Sequence, residues 1–421
     1  MLGTQFSIRH FLILILFLGT SAHAQVNQGL SLERLSRIDG VMQDYVDQEK
    51  LAGNVIYITR NGVPVYHKAF GFRDVASNDT MERTDMFRIA SQSKAITSTG
   101  IMILQERGKL LINDPVGKYL PEYMETTVAE DDGNGGYTVV PANRAITIRD
   151  LLTHTAGIDY GFGPAQDAWK EAGIQGWYFA DRDEPIRETV RRIADLPQAA
   201  QPGTAFVYGY NTDILGAVIE VVSGETLEDF LTSNILNPLH MHDTHFYVPV
   251  NKADRVATVY SLKGDKITLA DNPGAFEGAS HVGQGHYIEG PRKSFSGGAG
   301  FISTARNYGI FLQMILNGGE LNGTRILSRK TVELMTKNHI GDIEYGAGRG
   351  FGLGFEVITD LGAFGQPGSQ DAYGWGGAYH STYWVDEKEN MVVVYLTQLI
   401  PAGGLDDSNK LRALIYQAFV D

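Results

Sequence analysis

Ser91 and Lys94 lie three residues apart in the run Phe87-Arg88-Ile89-Ala90-Ser91-Gln92-Ser93-Lys94, and a helical pattern follows at once. Residues with that spacing at a helix start share one face, so a primary amine comes within hydrogen-bond range of a hydroxyl. A serine hydroxyl is a poor nucleophile until a neighbouring base takes its proton. Lys94 fits two roles: the base itself, or a cation that favours the charged form of another base. The first turn of the helix adds free N–H groups and the positive end of the dipole, which suit a developing oxyanion. The chemistry these residues could do is acyl transfer through a serine ester. Ser-x-x-Lys alone also fits a surface helix cap, so the context has to decide.

That context begins with the elements around it. Leu32, Leu35, Ile38, Val41, Met42, Tyr45 and Val46 recur at three- and four-residue steps, which predicts an amphipathic helix with Ser31 as its N-cap. Asn54–Thr59 and Val63–Tyr66 flank Asn61-Gly62, a strong hairpin signal. Near the other end, Ser381–Val385, a polar turn at 386–390 and the apolar run Met391–Leu396 read as two more strands. A closing helix is expected over Leu411–Val420. Between the ends the helical period dominates, at Ala95–Arg107, Ile148–Leu152, Ile214–Val222, Leu227–Ile235 and Tyr308–Leu316. The expected architecture is an antiparallel sheet built from both chain ends, flanked by helices, with a mainly helical region inserted between. The cleft should lie where the two regions meet.

Composition bounds the function. The chain has 421 residues, 43% hydrophobic and 20% charged, which is globular and long enough for a sizeable core. With 35 basic and 49 acidic residues the formal charge is −14, so phosphate backbones and anionic lipid surfaces are poor partners. No cysteine is present, which excludes disulfides, thiolate nucleophiles and cysteine-ligated metals. Arg9 and His10 precede the apolar run Phe11–Gly19, and Ser21-Ala22-His23-Ala24 follows. That layout reads as a secretory signal peptide over residues 1–24, cleaved after Ala24, and the run is about half of what a bilayer crossing needs. The mature chain is expected to be periplasmic or secreted, with no membrane segment left after cleavage.

Longer stretches carry a resemblance. FRIASQSKAITSTGIMILQERG (Phe87–Gly108) is followed by Ile148-Arg149-Asp150-Leu151-Leu152-Thr153-His154-Thr155-Ala156-Gly157, by Pro202–Tyr208, by Gly297-Gly298-Ala299-Gly300-Phe301-Ile302-Ser303-Thr304-Ala305, and by Trp375-Gly376-Gly377-Ala378. Together these resemble the serine β-lactamase-like family, specifically the class C β-lactamases and the penicillin-binding-protein-like esterases and D-peptidases related to them, over roughly residues 32–419. The resemblance implies an α/β (α+β), β-lactamase/transpeptidase-like fold. Residues 25–421 are expected to form a single catalytic domain, with a sheet region at about 25–90 and 290–421 and a mainly helical region at about 91–289. It implies an acyl-enzyme on Ser91, no cofactor and no metal.

By the same resemblance Tyr208 is the third catalytic residue, moving protons with Lys94. An adjacent ammonium favours the phenolate form. The backbone N–H of Ser91 and that of Ala378 are implied as the oxyanion hole, with Gly376 and Gly377 letting substrate approach the strand. Two departures matter. The family's Tyr-x-Asn reads Tyr208-Gly209-Tyr210-Asn211, one place out of step. Its Lys-Thr-Gly is matched by Trp375-Gly376-Gly377, which removes the ammonium that meets the substrate carboxylate in β-lactams and D-Ala peptides. A Trp offers an apolar face and one N–H donor. The expected substrate is therefore a small acyl ester or amide, with β-lactam or D-Ala peptide as the alternative. His380 and Arg349 are other possible sources of a cation. An alternative of another class is a non-catalytic binding protein on the same fold, and intact Ser91, Lys94 and Tyr208 argue against it.

Other patterns are set aside. His240-Met241-His242-Asp243-Thr244-His245 departs from the His-x-His-x-Asp-His order of metallo-β-lactamases. Glu130–Gly136 lacks the ligand order of a calcium loop, and Gly346–Gly354 reads as a bending strand rather than a nucleotide loop. No G-x-S-x-G elbow is present, which argues against an α/β-hydrolase. Asn78-Asp79-Thr80 and Asn322-Gly323-Thr324 match glycosylation sites at chance frequency.

Overall fold

The computed structural model describes residues 26–278 and 280–421; the segment read as a signal peptide lies outside them. Its main sheet has eight strands: β1 (Gly53–Arg60), β2 (Val63–Asp74), β3 (Asp79–Thr80), β4 (Arg349–Phe351), β5 (Glu356–Ile358), β6 (Tyr373–Gly377), β7 (Ser381–Asp386) and β8 (Met391–Thr397). They lie in the order β4-β5-β6-β7-β8-β1-β2-β3, and every neighbouring pair is antiparallel. Both chain ends thus meet at the centre, where Ile58 of β1 faces Val393 of β8. This is the β-lactamase/transpeptidase-like fold, mixed in helix and strand around one large antiparallel sheet.

Alternation along the central strands sorts side chains onto two faces. Val55 and Tyr57 of β1, with Val392, Val394 and Leu396 of β8, join the larger core shared with the helical region. Ile56, Ile58, Met391, Val393 and Tyr395 point the other way, into a second core with Ile38 and Met42 of α1 (Arg37–Asp47) and Leu411 and Ile415 of the last helix. Both faces are covered, which explains why all eight residues of β1 are buried.

The helices that frame the site are α2 (Ser93–Glu106), α3 (Ile148–Leu152), α4 (Ile186–Ala194), α5 (Asn211–Ser223), α6 (Ala305–Leu316) and α7 (Asp407–Tyr416). Residues Ser93 to Leu104 of α2 are all buried. A helix buried on every side needs small residues where neighbours approach, and Gly100 sits against Leu231 and Ile219 of the adjacent helices. Thr97 spends its hydroxyl on the carbonyl of Gly297 at 2.9 Å.

Several boundaries differ from the sequence reading. Ser31 does cap a turn, accepting from the Arg34 N–H at 3.3 Å, but that turn ends at Leu35. The Ser36 hydroxyl then donates to the Glu33 carbonyl at 2.7 Å, a local bond that competes with the helix ladder, and α1 starts afresh at Arg37. The helix expected to reach Ile235 is regular only over Leu227–Leu231; Thr232–Leu236 winds wider, with Ser233 and Asn234 side chains bonding to carbonyls four residues back. The closing helix starts four residues before its apolar pattern and stops at Tyr416. The inserted region also carries three hairpins: Thr127–Asp131 with Tyr137–Pro141, Tyr260–Lys263 with Lys266–Leu269, and Ala275–Glu277 with Ser280–Val282. The Glu130–Gly136 stretch is the tip of the first, where Asp132 accepts from the N–H groups of Asn134 and Gly136. No helix among the described residues is long and apolar enough to cross a membrane.

Candidate active site

Ser91 sits in a tight turn, Ala90–Gln92, that feeds directly into α2. Ala90 holds φ at +43°, a region that disfavours side chains, so the backbone just before the serine is strained. One helical turn on, Lys94 is 2% exposed. Its Nζ lies 3.3 Å from Ser91 Oγ, 3.1 Å from the Tyr160 hydroxyl and 2.8 Å from the Gly298 carbonyl. Three acceptors match the three N–H bonds of an ammonium.

Gly298 bridges two charged groups. Its carbonyl accepts a hydrogen bond from Lys94 Nζ while its N–H donates to Asp213 Oδ1 at 3.1 Å. Asp213 is buried on α5 and also accepts from the Ser296 hydroxyl at 2.6 Å. Burial pushes its carboxyl up, and the Lys94 charge opposes that push. A Cβ on Gly298 would come within 2.5 Å of Asp213 Oδ2, so only glycine allows this approach.

Tyr208 lies on the other side of Lys94, whose Nζ stands 4.6 Å from the centre of its ring. Its hydroxyl accepts from Trp375 Nε1 at 3.1 Å. The ring of Tyr160 meets that of Tyr208 edge-on, with centres 5.7 Å apart. Burial, and next the neighbouring Tyr208, hold the Tyr160 phenol well above its usual range. Ser91, Lys94 and Tyr208 are therefore brought together from the turn before α2, from α2 itself and from the loop before α5, and Trp375 joins them from β6.

The strand expected to carry the oxyanion hole packs on the serine turn. A Cβ on Gly377 would lie 2.4 Å from the Ile89 carbonyl, so glycine permits the close approach of the strand to the serine turn. Ala378 follows the end of β6, and Ala378 and Ser91 line one cleft of about 640 Å³. Tyr160, Trp177, Tyr208 and Trp375 line it, as do Arg349, Glu356 and Arg412. Sheet residues and helical-region residues face each other across it.

The remaining candidates fall elsewhere. Tyr210 is buried, donates its hydroxyl to the Gly176 carbonyl at 2.7 Å and stacks on Trp169. Asn211 donates to the carbonyls of Ile158 and Val207 and reaches His154 Nδ1 at 2.9 Å, pinning two loops together. Of the two alternative cations, His380 is tied to Asp407 at 2.6 Å, whereas Arg349 lines the cleft 3.4 Å from Glu356. In the His240–His245 stretch, Asp243 is paired with Arg255 and Lys252, and His245 faces the Lys252 amine at 3.4 Å. A metal ion there would meet two cations.

Three contributors escaped the sequence reading. Tyr160 stands three residues beyond the His154–Gly157 motif, on an irregular loop whose direction no periodicity reveals. Asp213 lies one residue before the apolar pattern Ile214–Val222, in the first turn of α5. Arg412 occupies α7, where its guanidinium stacks on Phe364, Trp384 and Tyr416 while its Nε donates to the Pro367 carbonyl. No carboxylate among the described residues pairs with it.

A nucleophile, a buried amine, two phenols and a glycine-lined strand edge, on a sheet closed by both chain ends, define a serine hydrolase of the β-lactamase type. Residues 38–417 match the family described as β-lactamase, and the chain belongs to it. It is 31% identical to the Mycobacterium tuberculosis protein Rv1367c over 385 residues, covering 87% of this chain and 90% of that protein. It is 29% identical to the esterase EstB of Burkholderia gladioli, covering 86% of this chain and 90% of the relative. Among solved structures, EstCE1, a hydrolase with promiscuous acyltransferase activity, superposes with a TM-score of 0.78 at 28% identity, covering 91% of this chain and 99% of its own.

Proposed function

We propose that the protein is an exported serine esterase that hydrolyses small neutral esters, or short amides, through an acyl-enzyme on Ser91. Oγ attacks the carbonyl carbon while its proton passes to the Lys94–Tyr208 pair. The N–H groups of Ser91 and Ala378 receive the oxyanion. The pair then hands the proton to the departing alkoxide or amine, and in the second half-reaction it takes one from the attacking water and returns it to Ser91 Oγ as the acid leaves. Esterase and hydrolase relatives of similar length support this reading.

The observation that carries the substrate class is Trp375. A neutral indole stands on the strand beside Ser91, and its single N–H is already committed to Tyr208. That leaves an apolar wall where a charged substrate group would need a cation. A panel of p-nitrophenyl esters, a chromogenic cephalosporin and a D-Ala dipeptide tests it. The short esters should turn over fastest; a cephalosporin hydrolysed far faster than every ester would reverse the order.

One observation favours the second reading. Arg412 brings to the lining of the same cleft a guanidinium that pairs with no carboxylate among the described residues. A β-lactam or D-Ala peptide carboxylate is the kind of group it would meet. On that reading Arg412→Ala would abolish cephalosporin turnover and spare p-nitrophenyl acetate.

A further inference from the structure

The turn between β6 and β7 carries Ala378, and it is built in an unusual way. His380 N–H closes it by donating to the Gly377 carbonyl at 3.1 Å. His380 itself sits at φ +61°, the left-handed region that favours glycine. A branched aromatic ring at a glycine-type position calls for a reason, and the ring supplies one. Its Nε2 lies 2.6 Å from Oδ1 of Asp407.

Asp407 opens α7 and is 0% exposed. A carboxylate removed from water needs donors on its oxygens. The hydroxyl of Tyr395, on β8, donates to Oδ2, and His380 covers Oδ1. The Thr397 hydroxyl, one strand away, reaches the carbonyls of Tyr379 and His380 at 2.8 and 3.1 Å. The turn is thus tied from its side chain to a buried anchor and along its backbone to β8. Nothing in the proton path uses His380 or Asp407.

We propose that His380 is a positioning residue: locked onto Asp407, it fixes the orientation of the Ala378 N–H that receives the oxyanion. The inference rests on the esterase reading above. A donor aimed at the transition state loses its worth when it drifts, because the ground-state carbonyl tolerates what the oxyanion does not. The signature is a fall in kcat without a matching rise in KM.

The test compares His380→Gly, which relaxes the backbone but removes the tie, with His380→Gln, whose amide N–H can stand near the Nε2 place. On p-nitrophenyl acetate, His380→Gly should lose about tenfold or more in kcat, with KM within about threefold, since an ångström of misplacement is costly. Its affinity for a boronic acid that forms a tetrahedral adduct on Ser91 should fall in parallel, and His380→Gln should restore most of both. A His380→Gly enzyme with kcat and boronate affinity within twofold of the parent would overturn the proposal, as would a loss that His380→Gln leaves unrepaired. Ser91→Ala, run alongside, separates the two failures. If it is dead while His380→Gly is unimpaired, only this inference falls; if it still hydrolyses the ester, the esterase reading falls with it.

Discussion

Trp375 Nε1 donates a 3.1 Å hydrogen bond to the hydroxyl oxygen of Tyr208, joining β6 to the loop before α5 across 167 residues of chain. The two rings stand 5.4 Å apart, tilted by 49°. The residue that replaces the family's lysine therefore does more than line the cleft. It supplies a donor to the phenol expected to move protons, while Lys94 lies over the ring face.

Trp375→Phe keeps the aromatic wall and deletes that donor. Losing one hydrogen bond to a group at the reacting centre costs about 1–2 kcal/mol, or about five- to thirtyfold in kcat. KM for p-nitrophenyl acetate should stay within about threefold. A rise in KM with kcat preserved would return Trp375 to a substrate-contact role.

Tyr160→Phe removes one of the three acceptors around Lys94 and leaves Ser91 and Gly298 in place. The amine then has freedom to leave the serine. Ester hydrolysis should fall by about tenfold to a hundredfold, while a fluorophosphonate still labels Ser91 at full stoichiometry. Wild-type turnover in this variant would make Tyr160 a bystander.

Neighbouring glycines of β6 should respond differently to the same change. At Gly377 an added Cβ meets the Ile89 backbone at 2.4 Å; at Gly376 the nearest atom, the Ser381 carbonyl, is 3.2 Å away. Gly377→Ala should cost about 1–3 kcal/mol of stability and most of the activity, because the strand must back away from the serine turn. Gly376→Ala should be distinctly milder in chemical denaturation and in rate. Equal losses would contradict the packing described.

Acid should destabilise the fold partly through His154. Burial, and next the Lys94 charge, hold its imidazole well below the usual value of 6.5. The folded protein keeps it neutral, while the unfolded chain binds a proton below about 6.5. The unfolded state then holds more protons, so stability falls as pH drops below that point and is fully present above it. One such group adds up to about 1.4 kcal/mol per pH unit. Melting temperatures between pH 7.5 and 5 should fall less steeply in His154→Gln; parallel curves would remove His154 from the explanation.

What was legible in the sequence was local. Ser91 and Lys94 face each other because a helix repeats, and the central strands show in their apolar runs and the Asn61-Gly62 turn. α4, with Ile186, Val190 and Ile193 buried at helical spacing, was not among the helices expected from the sequence. Contacts made through space were not legible. Tyr160 reaches Lys94 from a loop, and Trp375 meets Tyr208 only after the sheet has brought the two regions together. Asp407 hid the start of α7 because its burial follows from two donors elsewhere in the chain, Tyr395 on β8 and His380 in the β6–β7 turn, which no spacing on its own helix announces. Tyr208 was legible only through the resemblance, since a tyrosine in a glycine-rich loop has no pattern of its own.

The central claim is that Ser91 carries the acyl group. Acid-quenching the enzyme within milliseconds of mixing with p-nitrophenyl butyrate, followed by peptide mass spectrometry, tests it most directly. The expected result is one butyryl adduct, on the peptide containing Ser91, formed with a burst of nitrophenol and absent from a folded Ser91→Ala variant that no longer turns over. An adduct on another residue, or Ser91→Ala hydrolysing the ester at the parental rate, would contradict the account.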